Sequence, residues 1–228
     1  DELDVDEDEA IKLKIRLGFI KKVYGILLFQ ALLTTLVVGS ALFIRDFANF
    51  IMNNPFMYIL CLVTCLITEL TLVCCKSVSR KVPINYILLI IFTLSESYLV
   101  ASLTLFYEPF SVFICSLITF VLVLGITLYA CFTKKDFTLC GTTLFFFCLG
   151  LLCFYTLGFF LRSRLYEIFI CCAGVVLFGF YLVYDTQLVI GRNQKLISED
   201  DYIGWALQIY MDIIAIFSRI LQWFGRKK

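Results

Sequence analysis

Seven apolar runs of roughly 20 residues each, separated by short polar clusters, constrain this chain more than any other feature. About 20 apolar residues in a helix cross the hydrocarbon core of a bilayer. Within that core only a helix or a closed barrel satisfies every backbone N–H and C=O. The runs fall at roughly 23–44, 56–75, 84–105, 110–132, 139–161, 166–190 and 202–224. The expected fold class is therefore an all-α membrane protein, a seven-transmembrane-helix bundle forming one domain over 12–228. Composition agrees: 61% of residues are apolar and mean hydropathy is +0.95, above the range of soluble domains. Pro55 and Pro83 stand just before the second and third runs, where a helix tolerates proline. Pro109 separates the third run from the fourth. Small residues in the sixth run (Ala173, Gly174, Gly179) predict close helix contact there.

Residues 1–11 open with Asp1, Glu2, Asp4, Asp6, Glu7, Asp8 and Glu9, a block expected to be a solvated, disordered tail. With no Met at position 1, a longer tail is expected to precede it. The stretch ahead of the first run is acidic and then basic, so no cleavable leader is expected and the first run serves as insertion signal. Lys and Arg in the short loops set orientation. One side carries Lys12, Lys14, Arg16, Lys21, Lys22, Lys76, Arg80, Lys81, Lys134, Lys135, Arg192 and Lys195. The other carries Arg45, Arg162, Arg164, Arg226, Lys227 and Lys228. Twelve against six makes the first side cytosolic, together with the N-terminus. The basic tail conflicts with seven full spans, and a re-entrant last segment is the alternative.

The chain has eleven Cys and no His. Most Cys lie inside apolar runs, where free Cys acts as a small hydrophobe. The adjacent pairs Cys74-Cys75 and Cys171-Cys172 bridge poorly. Without His, the commonest metal ligand and general base is missing, which weakens any zinc or triad reading; no cofactor and no enzymatic activity are expected of this chain. Nothing in the composition points to nucleic acid.

Four acids stand at membrane depth: Glu69, Glu96, Asp185 and Asp212. An ionisable group there costs a few kcal/mol or more and marks a functional site by default. Asp185 and Asp212 fall on consecutive helices. Two carboxylates that meet at low dielectric cannot both ionise cheaply, so they share a proton and titrate as a unit. Such a pair closes when it holds the proton and opens by repulsion when it does not. Deprotonated, it offers hard oxygen ligands for Ca²⁺. Flanking Tyr184 and Tyr210 are expected to donate hydrogen bonds to the acids. The competing reading is two protonated acids that bond backbone carbonyls for packing. Glu69 and Arg80 are eleven residues apart, about three helical turns, so direct pairing along one helix is not expected. Arg80 instead supplies counter-charge near the cytosolic mouth. Glu96, beside Thr93, Ser95 and Ser97, sits on a polar face that suits an ion pathway or structural hydrogen bonding equally well. Ser198 followed by Glu199, Asp200 and Asp201 reads as a solvated helix start. Arg219 reads as a snorkelling base.

These residues carry a resemblance. Tyr184-Asp185-Thr186-Gln187, Ile197-Ser198-Glu199-Asp200-Asp201-Tyr202 and Ile209-Tyr210-Met211-Asp212-Ile213-Ile214 resemble the C-terminal signature of the Bax inhibitor (TMBIM) family. Lys22-Val23-Tyr24-Gly25-Ile26-Leu27-Leu28, Leu72-Val73-Cys74-Cys75, Phe92-Thr93-Leu94-Ser95, Thr133-Lys134-Lys135-Asp136-Phe137-Thr138 and Leu221-Gln222-Trp223-Phe224-Gly225 are similar to its Lifeguard branch. The resemblance implies a seven-helix bundle with a central C-terminal helix, a pH-sensitive Ca²⁺ leak in intracellular membranes, and suppression of cell death. It makes Asp185 and Asp212 the pH sensor. Glu69 and Arg80 correspond to an acid and an arginine of the second helix. Asp200 stands where some relatives carry a functional Glu, and Gln222 where some carry an Arg. The implied location is Golgi, ER or endosomal–lysosomal membrane, with a plasma-membrane fraction.

Three other functions compete. An adaptor would bind death receptors or Bcl-2-type proteins without ion flux. A proton-coupled Ca²⁺ transporter would use the same acid pair. An intramembrane aspartyl protease would need Gly-x-Gly-Asp at the second acid and a later Pro-Ala-Leu; the chain has Tyr210-Met211-Asp212 and no Pro after Pro109.

Overall fold

The computed structural model describes the backbone of residues 2–158, 163–191 and 199–228, and their side chains apart from residues 2–10 and 12. Arg162, Arg192, Lys195, Ile197 and Ser198 lie outside the described residues. The helices run α1 (Glu2–Phe43), α2 (Arg45–Asn53), α3 (Pro55–Cys74), α4 (Lys76–Ser79), α5 (Ile84–Thr104), α6 (Pro109–Phe132), α7 (Gly141–Leu157), α8 (Arg164–Ile190) and α9 (Tyr202–Phe224). Short 3₁₀ turns at Thr138–Cys140 and Glu199–Asp201 lead into α7 and α9. Seven of these segments are long and apolar enough to cross a membrane, matching the seven expected runs.

Pro55 and Pro109 occupy the first turns of α3 and α6, where the missing N–H has no partner to lose. Helix α9 packs against α8, α1, α6, α5 and α3, which makes the last helix the axle of the bundle. Its buried residues fall on two faces (Ile203, Leu207 and Tyr210 on one, Ile209, Asp212, Ile216 and Ile220 on another), as a helix packed on several sides requires. Outer faces are lined by large exposed apolar groups such as Phe113, Leu117, Phe120, Val121 and Leu124 on α6, the surface that lipid covers. Gly179 lets Ile126 of α6 approach α8, as its small side chain predicts.

Two local features go beyond the sequence reading. Helix α1 starts at Glu2, so the backbone of the acidic block is helical. Acids in the first turns sit at the positive end of the helix dipole, which favours that helix. Between the first and second spans a short helix, α2, packs Phe47, Ala48 and Ile51 against Ala41, Tyr98 and Leu105.

Helix α9 runs unbroken, without the irregular backbone of a re-entrant segment. The tail after it is tied to the α5–α6 turn. Glu108 N–H donates to Arg226 O (2.9 Å), Lys228 N–H to Phe106 O (3.0 Å), and Arg226 N–H to Ser111 Oγ (3.0 Å). Arg226 Nε also lies 3.4 Å from Glu108 Oε1. Part of the tail's positive charge is thus balanced where seven spans put it.

Candidate functional site

Asp185 lies near the end of α8 and Asp212 in the middle of α9, and these two helices pack most extensively of all pairs. Both acids are buried, at 4% and 7% exposure. Their carboxyl groups face each other within hydrogen-bond reach. Asp212 Oδ2 is buried and meets no donor among the described residues. One oxygen of the pair thus has no hydrogen-bond partner there. Tyr181, one turn before Asp185 on the same face of α8, is within electrostatic range of both acids. The i, i+4 spacing was the signal for it.

The flanking tyrosines do not serve the acids. Residues two apart on a helix point about 200° apart. Tyr210 accordingly turns away from Asp212 and bonds Thr34 Oγ1 at 2.7 Å. Thr34 donates to Gln30 O (2.8 Å) and Ser97 to Thr93 O (2.6 Å), so the Tyr210 hydroxyl is the donor to Thr34. Ser97 Oγ lies 3.0 Å from Thr34, and Gln30 Nε2 donates to Thr93 Oγ1 at 3.1 Å. This polar cluster fastens α1, α5 and α9 together. Tyr184 packs its hydroxyl against Gly141, where an added Cβ would come within 2.7 Å of it.

Glu69 and Glu96 form a second acidic pair, on the opposite side of α9 from the aspartates. Glu96 is buried and accepts a hydrogen bond from the Cys65 thiol at 3.1 Å, while half-buried Glu69 lies within electrostatic range of it. Neither is near Arg80. The chain turns at Cys75 into α4, which carries Arg80 to the end of the bundle. There its guanidinium grips Asp201 in two bonds, Nε to Oδ1 at 2.7 Å and Nη2 to Oδ2 at 2.9 Å. The guanidinium holds the Asp201 carboxyl below the usual carboxylate range, and the carboxylate holds Arg80 above its own usual value. Asp201, taken from sequence as a solvated helix start, is thus the paired acid, while its neighbour Asp200 lies only within electrostatic range of Arg80. Tyr202 extends the contact: its hydroxyl is 3.3 Å from Tyr86 and the Lys22 ammonium stands 5.2 Å over its ring.

Among the described residues no group of three or more Cys, Asp or Glu is arranged to hold a metal. A resident Ca²⁺ takes six to eight oxygens. Two carboxylates by themselves supply fewer oxygens than that.

The family profile described as "Inhibitor of apoptosis-promoting Bax1" matches residues 16–228. The chain belongs to the Bax inhibitor family. This is an anti-apoptotic family of membrane proteins. Among its members, protein lifeguard 3 of Mus musculus is 36% identical over 221 residues, covering 94% of this chain and 71% of that protein. Protein lifeguard 3 of Homo sapiens is 35% identical over 219 residues, with 93% and 70% covered. Protein lifeguard 4 of Mus musculus is 34% identical over 212 residues, with 91% and 84% covered.

Two of the Bax inhibitor motifs quoted above prove to be one structural unit. Gln187, fully buried, donates to Lys135 O at 2.9 Å and accepts from Phe137 N–H at 2.7 Å. The loop after α6 is thereby pinned half a turn from Asp185. Gln222 accepts from Arg219 Nη1 at 3.3 Å.

Proposed function

We propose that this Bax inhibitor family member is a pH-sensitive Ca²⁺ leak of intracellular membranes, gated by a proton shared between Asp185 and Asp212, and that this leak underlies a role in suppressing cell death. The observation that carries the reading is the buried meeting of two carboxyls on α8 and the axial helix α9. With the proton, one carboxyl donates to the other and the helices stay clasped. Without it, two like charges at low dielectric repel, and either the helices part or a cation enters between them. Asp212 Oδ2 is the oxygen that would receive the cation. The N-terminus and the Arg80–Asp201 clamp then lie on the cytosolic side, following the excess of Lys and Arg there. Glu69 and Glu96 would tune the field on the other face of α9.

The test is Ca²⁺ flux into proteoliposomes as a function of pH, wild type beside Asp212→Asn. A pH-dependent leak in the wild type that Asp212→Asn abolishes or makes insensitive to pH supports the reading. An unchanged leak between about pH 6 and pH 8 in both proteins refutes it. Concentrative uptake driven by a pH gradient would make the chain a transporter instead.

A further inference from the structure

We infer that Arg219 is a charge barrier in the ion path, lying between the aspartate pair and a cavity at the opposite end of the bundle; the inference rests on the leak reading above. Arg219 follows Asp212 by seven residues on α9, which places the two on one face of the helix about 10 Å apart along its axis. Its guanidinium is fixed by α7 and α8 as well. Nη1 donates to Tyr155 Oη of α7 at 2.7 Å and the guanidinium carbon lies 4.5 Å from the centre of that ring. On α8, Gly174 makes room for the stem: a Cβ there would fall 3.2 Å from Arg219 Cγ, Cδ and Nε. Nε itself is buried with no acceptor. A snorkelling base would extend its charge to water. Arg219 is half-buried, with its Nε inside the bundle and its guanidinium against an aromatic face.

Beyond it lies a cavity of about 620 Å³ at the end where α5, α7 and α9 finish and α8 begins. Tyr107, Tyr155, Tyr166, Glu167, Gln222 and Lys227 line it. Tyr155 and Gln222, which hold the guanidinium, are thus also part of the cavity wall. On the leak reading, a cation moving along α9 from Asp212 to this cavity passes the guanidinium, seven residues on. The groups that face Arg219 are Tyr155 on α7, Cys171 on α8 and Gln222 on α9 itself; the cavity acid nearest in sequence to Cys171 is Glu167. None of the contacts made by the guanidinium is to a carboxylate among the described residues. Its charge is therefore not cancelled by direct contact.

A positive charge beside a narrow path repels cations in proportion to their charge. For a cation held at Asp212, about 10 Å away, Coulomb's law at an effective dielectric constant of about 20 gives on the order of tenfold for a monovalent ion and a hundredfold for a divalent one, and more for an ion that comes closer. Removal of the charge should therefore raise Ca²⁺ leak more than K⁺ leak.

The experiment compares wild type, Arg219→Gln and Arg219→Lys in proteoliposomes, with Ca²⁺ and K⁺ leak read at two pH values. Arg219→Gln is expected to raise Ca²⁺ leak by roughly tenfold or more and K⁺ leak by less, at both pH values. Arg219→Lys, which keeps the charge, is expected to stay near wild type. Thermal melting of each variant separates a lost barrier from a loosened bundle, because loosening raises both leaks alike. The inference is overturned if Arg219→Gln leaks as the wild type does, if the two ions rise equally, or if Arg219→Lys leaks as much as Arg219→Gln. If the wild type carries no Ca²⁺ and Arg219→Gln does, the barrier stands and the proposed basal leak falls. If neither carries Ca²⁺, both fall.

Discussion

Tyr210→Phe removes a single hydroxyl and separates two roles that adjacency in sequence would merge. Tyr210 is 1% exposed and its hydroxyl donates to Thr34 at 2.7 Å. Thr34 keeps its bond to Gln30 O at 2.8 Å, so its hydroxyl is not orphaned by the change. The ring keeps its edge-on contact with Phe92, centroids 6.1 Å apart. What is lost is one interhelical hydrogen bond. Such bonds contribute about 1 kcal/mol in water-soluble proteins and about 0.6 kcal/mol on average between membrane helices. For a chain of this length about 1 kcal/mol corresponds to a melting shift of roughly 2–4 °C. The assay is thermal unfolding of the purified protein together with Ca²⁺ flux against pH. We expect melting lowered by no more than about 4 °C and an unchanged flux midpoint, because the hydroxyl points away from Asp212. A displaced midpoint would refute the assignment of Tyr210 to the scaffold. A loss above about 3 kcal/mol would show that the Thr34–Ser97 cluster is far more cooperative than pairwise bonds.

Two further substitutions probe the ends of the bundle. In Arg80→Ala the N-terminal end of α9 is released from its clamp. The Asp201 carboxyl is held low by Arg80, so the clamp is present at neutral pH and is lost only as pH falls through that lowered value. Leak in Arg80→Ala should change by less than about threefold and keep the wild-type pH midpoint; a moved midpoint in the flux assay would count against this. Gly191 ends α8 with φ of 82°, and the Arg16 guanidinium occupies the position a Cβ would take. Gly191→Ala should destabilise by about 1–2 kcal/mol for the left-handed backbone, plus the displacement of Arg16, read as a lower denaturation midpoint. No change there would show that the helix end relaxes freely.

The spans were legible because the bilayer imposes a length that apolar runs state openly. The aspartates were legible because an acid within such a run has few reasons to be there. Which helical face turns inward was harder. The runs are apolar on every side, so hydrophobic periodicity carries little signal. The usable signal was polar: Gln30 and Thr34 on α1, Thr93 and Ser97 on α5, each four residues apart, all point into the bundle. Lipid accepts Leu28, Phe29, Leu32 and Leu36 on the outside of α1, so the usual inside-apolar rule is reversed there. The partner of Arg80 was not legible, because Asp201 is distant in sequence and one of three adjacent acids; only the turn at Cys75 decides where Arg80 goes. Tyr210 was misread through adjacency alone, since two steps along a helix reverse the face.

The shared proton is the claim on which the gate depends, and a double-mutant comparison of Ca²⁺ flux against pH tests it. Asp185→Asn, Asp212→Asn and the double variant remove, in turn, each partner and both. If one proton is held between the two acids, either single change abolishes the pH response and the double variant behaves as the singles do. If the pH response survives one substitution, or the two effects add independently, the acids titrate separately and the pair is not the gate.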